Sequence, residues 1–536
     1  MNFAMQRRTI LRMMTSALAV GAVFGAQQAS AALISSFAQA LSAAAQDDQV
    51  VAGFYSDRDY ATVWTGEADV ARRQRLFDLL DMAAAHGLPV ARYDAAGLRD
   101  RFASATTEGD IGRLEVEASR AYLAFVGDLS SGVIVPERVL PDIKREIAHL
   151  DPAMVLAAAV SDQFEMFLAS LAPSAPAYAR LMKEKLALEA AIAKGGYGTK
   201  LAADALAPGD QGDGVVALRD RLVALGYLGR SFTWTYDAML ADSVQRFQLD
   251  NGLTADGAAD ARTIAALNIE ADQRLKSVVV AMERLRWMGN APLGARHIWV
   301  NLPDFVAKVV DDGKTTFKTR VVIGKVGDDT ESPEFSDLME YMVVNPTWSV
   351  PRSIVVKEYL PMLKRNANAQ GQLQVIDGSG NVVPRSAINF AAYTDKSFPF
   401  ALRQPPSDGN ALGKVKFMFP NPYNIYLHDT PSKSLFDKEI RAFSHGCIRV
   451  GAPFDLAYFL LTPQSDDPEG LFKSYLTGGR EGVLNFTTPI PVHLVYFTAW
   501  PNDQGMINYA DDIYGRDAAI FEALATAGVV LPGVQS

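Results

Sequence analysis

"HIWVNLPDFVAKVVDDGKTTFKTRVVIGK", residues 297–325, is where the chain changes character. Apolar and polar residues alternate in short runs broken at Asp312–Gly313, the period of two that belongs to half-buried strands. "DLMEYMVVNP" (337–346), "GKVKFMF" (413–419), "NIYLHD" (424–429) and "PVHLVYFTAW" (491–500) continue the pattern. Closely spaced strands with Gly and Pro turns predict a mostly β domain over 296–510, a sandwich or a barrel-like sheet. His297 and His493 lie in these strands and are expected to pack there. Between "NPTWSVP" and "FALRQPP" the pattern differs: "SIVVKEYLPMLKRNAN" (353–368) is helical, and Asp377–Gly380 makes a Gly-rich turn. An inserted subdomain is expected at about 352–400, placed to act as a lid. Residues 511–536 are left as a C-terminal segment.

Upstream the period is helical. "RRQRLFDLLDMAAAHGLP" stops at Gly87–Pro89, and "YARLMKEKLALEAAIAKGG" carries Leu181, Leu188 and Ile192 on one stripe before a Gly–Gly terminator. Residues 32–205 therefore read as a helical scaffold in which His86 and His149 are ordinary structural or surface residues. "VVALRDRLVALGYLG" and "ADSVQRFQLDNGLTADGAADARTIAALN" predict three short helices in a small bundle, 206–270, followed by a linker helix, 271–295. The chain is thus multidomain α+β, as expected at 536 residues, too many for one core.

Apolar residues make up 49% and charged residues 21%, the mix of an ordered globular protein. A net charge of −10 argues against nucleic acid as a partner. Arg7, Arg8 and Arg12 precede an apolar run from Met13 to Ala26 and a small-residue "ASA" at 29–31, which reads as an export signal over 1–31. "QRRTIL" leaves twin-arginine and general secretion both open. Removing this segment takes away three arginines and no acid, so the formal charge moves from −10 to −13. A periplasmic location is expected.

An exported protein normally pairs its thiols, yet Cys447 is alone. It is either buried and inert or reactive. Its setting, Ser444–His445–Gly446–Cys447–Ile448–Arg449, offers what a nucleophile needs. Gly446 permits a tight turn, and the N–H groups of Gly446 and Cys447 are candidate oxyanion donors. His445 and Arg449 add polar or positive character. His428 ends the strand "NIYLHD", 15 residues before Ser444. Neighbouring strand ends would bring it to Cys447 as a base, with the carbonyl or side chain of Asp429 orienting the imidazole. The sulfur is then expected to be anionic at neutral pH.

His428, the 15-residue spacing and Ser444 to Arg449 resemble the signature of the L,D-transpeptidase (YkuD-type) catalytic domain. "VVNPTWSVP", "LRQPPSDGNALGKVKFMFPN", "IYLHDTP" and "FTAWPNDQGMINYADDIYGRD" are similar to its large periplasmic YcbB-like branch. "FYSDRDYATVWT" and "HGLPVARY" look like that branch's scaffold domain, so the likeness covers nearly the whole chain after residue 31. Leu218, Leu222, Leu225–Leu228, Val244–Gln248, Gly252–Leu253 and Asp256–Gly257 resemble the peptidoglycan-binding domain 1 family. Arg449 stands where much of the wider family has Asn, as is common in the YcbB-like branch.

The resemblance implies that Cys447 attacks the carbonyl before the terminal D-Ala of a peptidoglycan stem tetrapeptide, leaving a thioester. The side-chain amine of a second stem's diamino acid would resolve it as a 3→3 crosslink, with His428 as acid and base and Cys447 open to acylation by carbapenems. Arg449, Ser444, Tyr426 and Trp348 are expected to hold substrate or line the pocket, with His445 secondary and no cofactor or metal. Three alternatives stay open: a Cys–His–His metal site, a non-catalytic wall-binding protein, and a carboxypeptidase or crosslink hydrolase of the same fold.

Overall fold

A computed structural model describes residues 35–327 and 329–534. The expected export signal lies outside the described residues. Among those described, no helix is long and apolar enough to cross a membrane.

The strand patterns of 296–495 become one nine-stranded sheet: β1 (Arg296–Asn301), β2 (Val306–Asp311), β3 (Lys314–Gly324), β4 (Phe335–Val344), β5 (Val415–Met418), β6 (Leu427–His428), β7 (Ala442–Ser444), β8 (Ile448–Val450) and β9 (Gly482–Val495). Their order is β7-β3-β8-β6-β5-β4-β9-β1-β2, and β2 also pairs with β3. The sheet therefore curls back on itself, which removes most of its free edge. Ile298, Val300, Met342, Phe417, Leu427, Ile448 and Leu494 fill its interior and are fully buried.

The insertion has its own core of Ile354, Leu360, Leu363, Val375 and Phe398. It forms a four-stranded sheet in the order Trp348–Ser349, Ala401–Gln404, Gln374–Ile376, Val382–Val383. The subdomain thus reaches beyond the expected 352–400 at both ends. Its helical part is irregular, because a π-helical turn at Val355–Tyr359 sits between helical turns Arg352–Ile354 and Leu360–Arg365.

In the helical region, the buried Glu115 of helix Glu108–Ser131 gathers donors from the segment 55–65. It accepts from Tyr55 Oη at 2.8 Å and from the Trp64 and Thr65 N–H groups, each at 3.0 Å. A buried carboxylate is tolerated only with such a full complement of donors. The small bundle consists of helices Asp213–Ala224, Ala238–Asp250 and Ala261–Leu267 around Leu218, Leu222, Val244, Phe247 and Leu267. Asp237 and Asp260 cap its second and third helices by accepting from Leu240 N and Thr263 N.

The helix expected to be a linker, observed at Ala271–Met288, is instead a central strut whose residues from Val278 to Trp287 are all buried. Glu283 accepts from the N–H groups of Val133 and Ile134 in the helical region. Arg284 pairs with Glu334, just before β4, and with Asp517 of the C-terminal helix Arg516–Thr526. Arg516 reaches the same Glu334 at 3.2 Å. The strut thereby locks three parts of the chain together, and its charges are why its sequence does not look like a core helix.

Candidate active site

The pleat builds the site. Opposed residues on neighbouring strands share a face, and β6 pairs with β5 through Leu427↔Phe417 and His428↔Lys416. It pairs in parallel with β8 through Leu427↔Ile448 and His428↔Arg449. Leu427, Phe417 and Ile448 therefore enter the core, and Lys416, His428 and Arg449 form one row across three strands on the opposite face. Cys447 comes one residue before β8, and Tyr426 one before β6. The expected meeting of two strand ends is what the register produces.

Cys447, His428, Arg449, Tyr426, Trp348, Ser444, His445 and Gly446 line one pocket of about 460 Å³. The thiol is half-buried and donates to the Asn424 carbonyl at 3.4 Å. Burial pushes its pKa up to about 11, opposed by the backbone and hydroxyl of Tyr426 and by Lys416 and Arg449. His428 is 4% exposed. Its pKa falls to about 3, chiefly through burial and then the charge of Arg449. In this state the proton sits on sulfur and the imidazole is neutral, which differs from the anionic sulfur expected from sequence. The reason is desolvation, which disfavours the charged form of both partners. His428 Nδ1–H donates to the Asp429 carbonyl at 2.5 Å, leaving Nε2 as the proton acceptor.

Of the two ways Asp429 was expected to serve, the carbonyl is the one used. Its buried carboxylate braces the backbone, accepting from Lys414 N at 2.8 Å, Thr430 N at 2.7 Å and Lys433 Nζ at 2.6 Å. Lys414 follows Gly413, which has φ +59° and lies so close to the Asp429 carboxylate that a side chain would not fit.

The loop before the sulfur is held from within. Gly446 has φ +105°, a region unfavourable to other residues. Its N–H donates to Ser444 Oγ at 3.2 Å, and the Ser444 hydroxyl donates to the Cys447 carbonyl at 2.6 Å. The Gly446 carbonyl accepts from Ser332 Oγ at 2.6 Å. Two expectations shift accordingly. The Gly446 N–H is occupied rather than free for an oxyanion, and Ser444 shapes the loop instead of offering its hydroxyl to a ligand. Among the described hydrogen bonds the Cys447 N–H has no partner, so it remains a donor for an incoming carbonyl.

His445 turns away from the sulfur and meets Glu358 Oε1 of the insertion at 2.6 Å. Beside it Lys357 lies 3.7 Å from Asp329, so two polar contacts span the pocket rim. Among the described residues no three His, Cys, Asp or Glu side chains converge as metal ligands.

Tyr426 does more than line a wall: it meets the sulfur with its backbone N–H and its hydroxyl, and the hydroxyl also meets Trp348. Sequence reading missed Lys416, Asn424, Ser332 and Glu358. Only the alternation of "KVKFM" held a hint of Lys416, as the outward residue of a strand.

A family model described as "L,D-transpeptidase catalytic domain" matches residues 295–472. The curled sheet and its pocket are thus similar to that catalytic domain. A "Scaffold domain" model matches 49–184 and a "Putative peptidoglycan binding domain" model matches 211–267. The three matches fall on the curled β domain, the expected helical scaffold and the small bundle. A relative from Haemophilus influenzae, named "Putative L,D-transpeptidase", is 33% identical over 225 residues. The match covers 42% of this chain and 45% of that relative, so the chain spans about half the length of the curated relative it matches. A crystal structure of an L,D-transpeptidase (residues 123–326) from Xylanimonas cellulosilytica aligns at 15% identity. It covers 55% of this chain and 100% of that one, with a TM-score of 0.17. The avibactam carbamoyl enzyme of Ldtfm aligns at 12% identity over 58% and 98%, with a TM-score of 0.19. Superpositions this loose assign no role to any residue of the β domain.

Proposed function

We propose that this chain is a peptidoglycan L,D-transpeptidase working in the periplasm after export of the signal at residues 1–31. Cys447 is its nucleophile and His428 its acid and base. The observation that carries the proposal is Cys447 at a pocket wall with Tyr426 on the sulfur and a neutral, carbonyl-oriented His428 on the adjoining strand.

The resting charges favour proton transfer coupled to attack over a standing ion pair. As the sulfur approaches the carbonyl before the terminal D-Ala, its proton passes to His428 Nε2. The Cys447 N–H is the oxyanion donor left free by the loop. The C–N bond then breaks, His428 returns the proton to the departing amine, and a thioester remains. The side-chain amine of a second stem's diamino acid attacks the thioester, loses a proton to His428, and restores the thiol as the 3→3 amide forms. If water takes the place of the amine, the same acyl-enzyme yields a tripeptide, which is the carboxypeptidase reading.

One experiment separates them. Purified protein incubated with disaccharide-tetrapeptide muropeptides is expected to release D-Ala and form 3→3 dimers by chromatography and mass spectrometry. Tripeptide alone selects the hydrolase. If neither product forms and Cys447 gains no mass with a carbapenem, the nucleophile assignment fails.

A further inference from the structure

Lys416, His428 and Arg449 stand in register on β5, β6 and β8, so two cations flank the imidazole. Neither forms an ion pair among the described residues. No hydrogen bond or ion pair among the described residues takes the Lys416 ammonium, and Arg449 Nε is buried without a partner. Several other buried cations of this fold are paired: Arg221 with Glu270, Arg284 with Glu334 and Asp517, Arg286 with Glu283. Two unpaired, half-buried cations beside one sulfur are costly unless an anion visits them.

They face different spaces. Arg449 lines the 460 Å³ pocket with the sulfur, and Lys416 lines an adjoining one of about 700 Å³ with Met418, Asn421 and Arg352. Tyr426 and Trp348 belong to both and form the partition. Lys416 Nζ sits 4.8 Å from the Tyr426 ring centre, and the Tyr426 hydroxyl meets Cys447. The cleft therefore has two arms meeting at the sulfur, with Arg449 in one and Lys416 in the other.

We propose that Lys416 reads the α-carboxylate of a D-amino acid in the second arm, first that of the leaving D-Ala and then that of the amine replacing it. This rests on the transpeptidase reading above. The acyl portion must lie against the Ser444–Cys447 loop, where the sulfur binds it and the Cys447 N–H faces its oxygen. The departing piece then falls beyond the Tyr426 partition, toward Lys416. By microscopic reversibility the incoming amine reaches the acyl carbon along the same path, and the cation freed by D-Ala is waiting for it. An amine with an adjacent carboxylate is thus the preferred acceptor over a plain alkylamine. The half-reaction balances: the carbonyl–sulfur bond breaks, the new amide forms, and one amine proton returns to sulfur through His428.

The test uses the full chain, tetrapeptide muropeptide and isotopically labelled D-alanine or D-alaninamide, following label entry into the muropeptide. Wild type is expected to favour D-alanine. Lys416→Met is expected to lower the ratio of D-alanine to D-alaninamide incorporation roughly 10- to 100-fold, as loss of a charge-assisted hydrogen bond does, a ratio that cancels any change in the acylation step common to both acceptors. Lys416→Arg should restore most of the preference. A Lys416→Met protein that keeps the preference overturns the proposal, as does loss of preference in Arg449→Met alone. Binding measured without chemistry keeps the two readings apart. In a Cys447→Ala background, tetrapeptide should bind more tightly than its C-terminal carboxamide, and Lys416→Met should abolish that difference. An unchanged difference sinks the role of Lys416 whether or not the protein transfers peptides, and Lys416→Gln serves if the Met variant misfolds.

Discussion

Cys447 is a thiol at neutral pH in this fold, because burial outweighs the two cations and Tyr426. Its alkylation by iodoacetamide is accordingly expected to be slow at pH 7 and to climb about tenfold per pH unit until near pH 11. A rate that levels off below pH 8, read by mass spectrometry, would reveal a standing thiolate. Much at this scale was readable in advance. The setting of Cys447 after Gly446, with His428 on a separate strand, points to a candidate nucleophile and base, and the strand register brings both to one pocket. The part of Tyr426 and the placement of Lys416 were not, since both depend on which residue opposes which across β5, β6 and β8. A one-residue slip would turn Lys416 into the core.

Among the elements, the π-helical turn Val355–Tyr359 brings Glu358 to His445, so this histidine joins the insertion to the loop that carries the sulfur. Both side chains are about a third exposed, and such pairs contribute roughly 0.2–1 kcal/mol. His445→Ala and Glu358→Gln are each expected to slow acylation only a few-fold, with the double variant no worse than either single one. His428→Ala should abolish it. Carbapenem acylation rates would check this, and additive losses would show that His445 acts on the chemistry independently of Glu358. The insertion was visible in sequence as a change of pattern, but its π-turn was not, because it depends on packing rather than on any one residue type. The strut Ala271–Met288 has the sequence of a linker helix for a similar reason. Arg284 and Arg286 look solvent-facing until Glu334, Asp517 and Tyr178 are seen closing on them from distant parts of the chain.

For the molecule as a whole, buried neutral histidines govern stability in acid. His86 and His493 are lowered from 6.5 to about 4, and His428 to about 3, with burial the leading cause in each. Protonation then favours the unfolded chain. Their contribution is intact above pH 6.5, falls as pH drops below it, and goes on falling to about pH 4 for two of them and pH 3 for His428. At pH 5 each costs at most about 2 kcal/mol relative to pH 7. The thermal midpoint should fall clearly between pH 7 and pH 5, and His493→Gln should reduce that fall; a midpoint indifferent to this change would contradict the burial described. The domain order was readable from periodicity and turn residues. The docking of the small bundle was not, since it rests on single polar contacts such as Thr254 and Arg262 with Glu439, and Asn502 with Asp250.

The excursion over the cleft leaves the catalytic sheet at Trp348–Ser349 and returns at Ala401–Gln404, and these two stretches pair with each other. Its stalk is closed before its body begins. Residues can be added to or removed from the far end of that stalk with no strand of the barrel changing partners, so the reach of the hood over its sulfur is a dimension this architecture leaves adjustable.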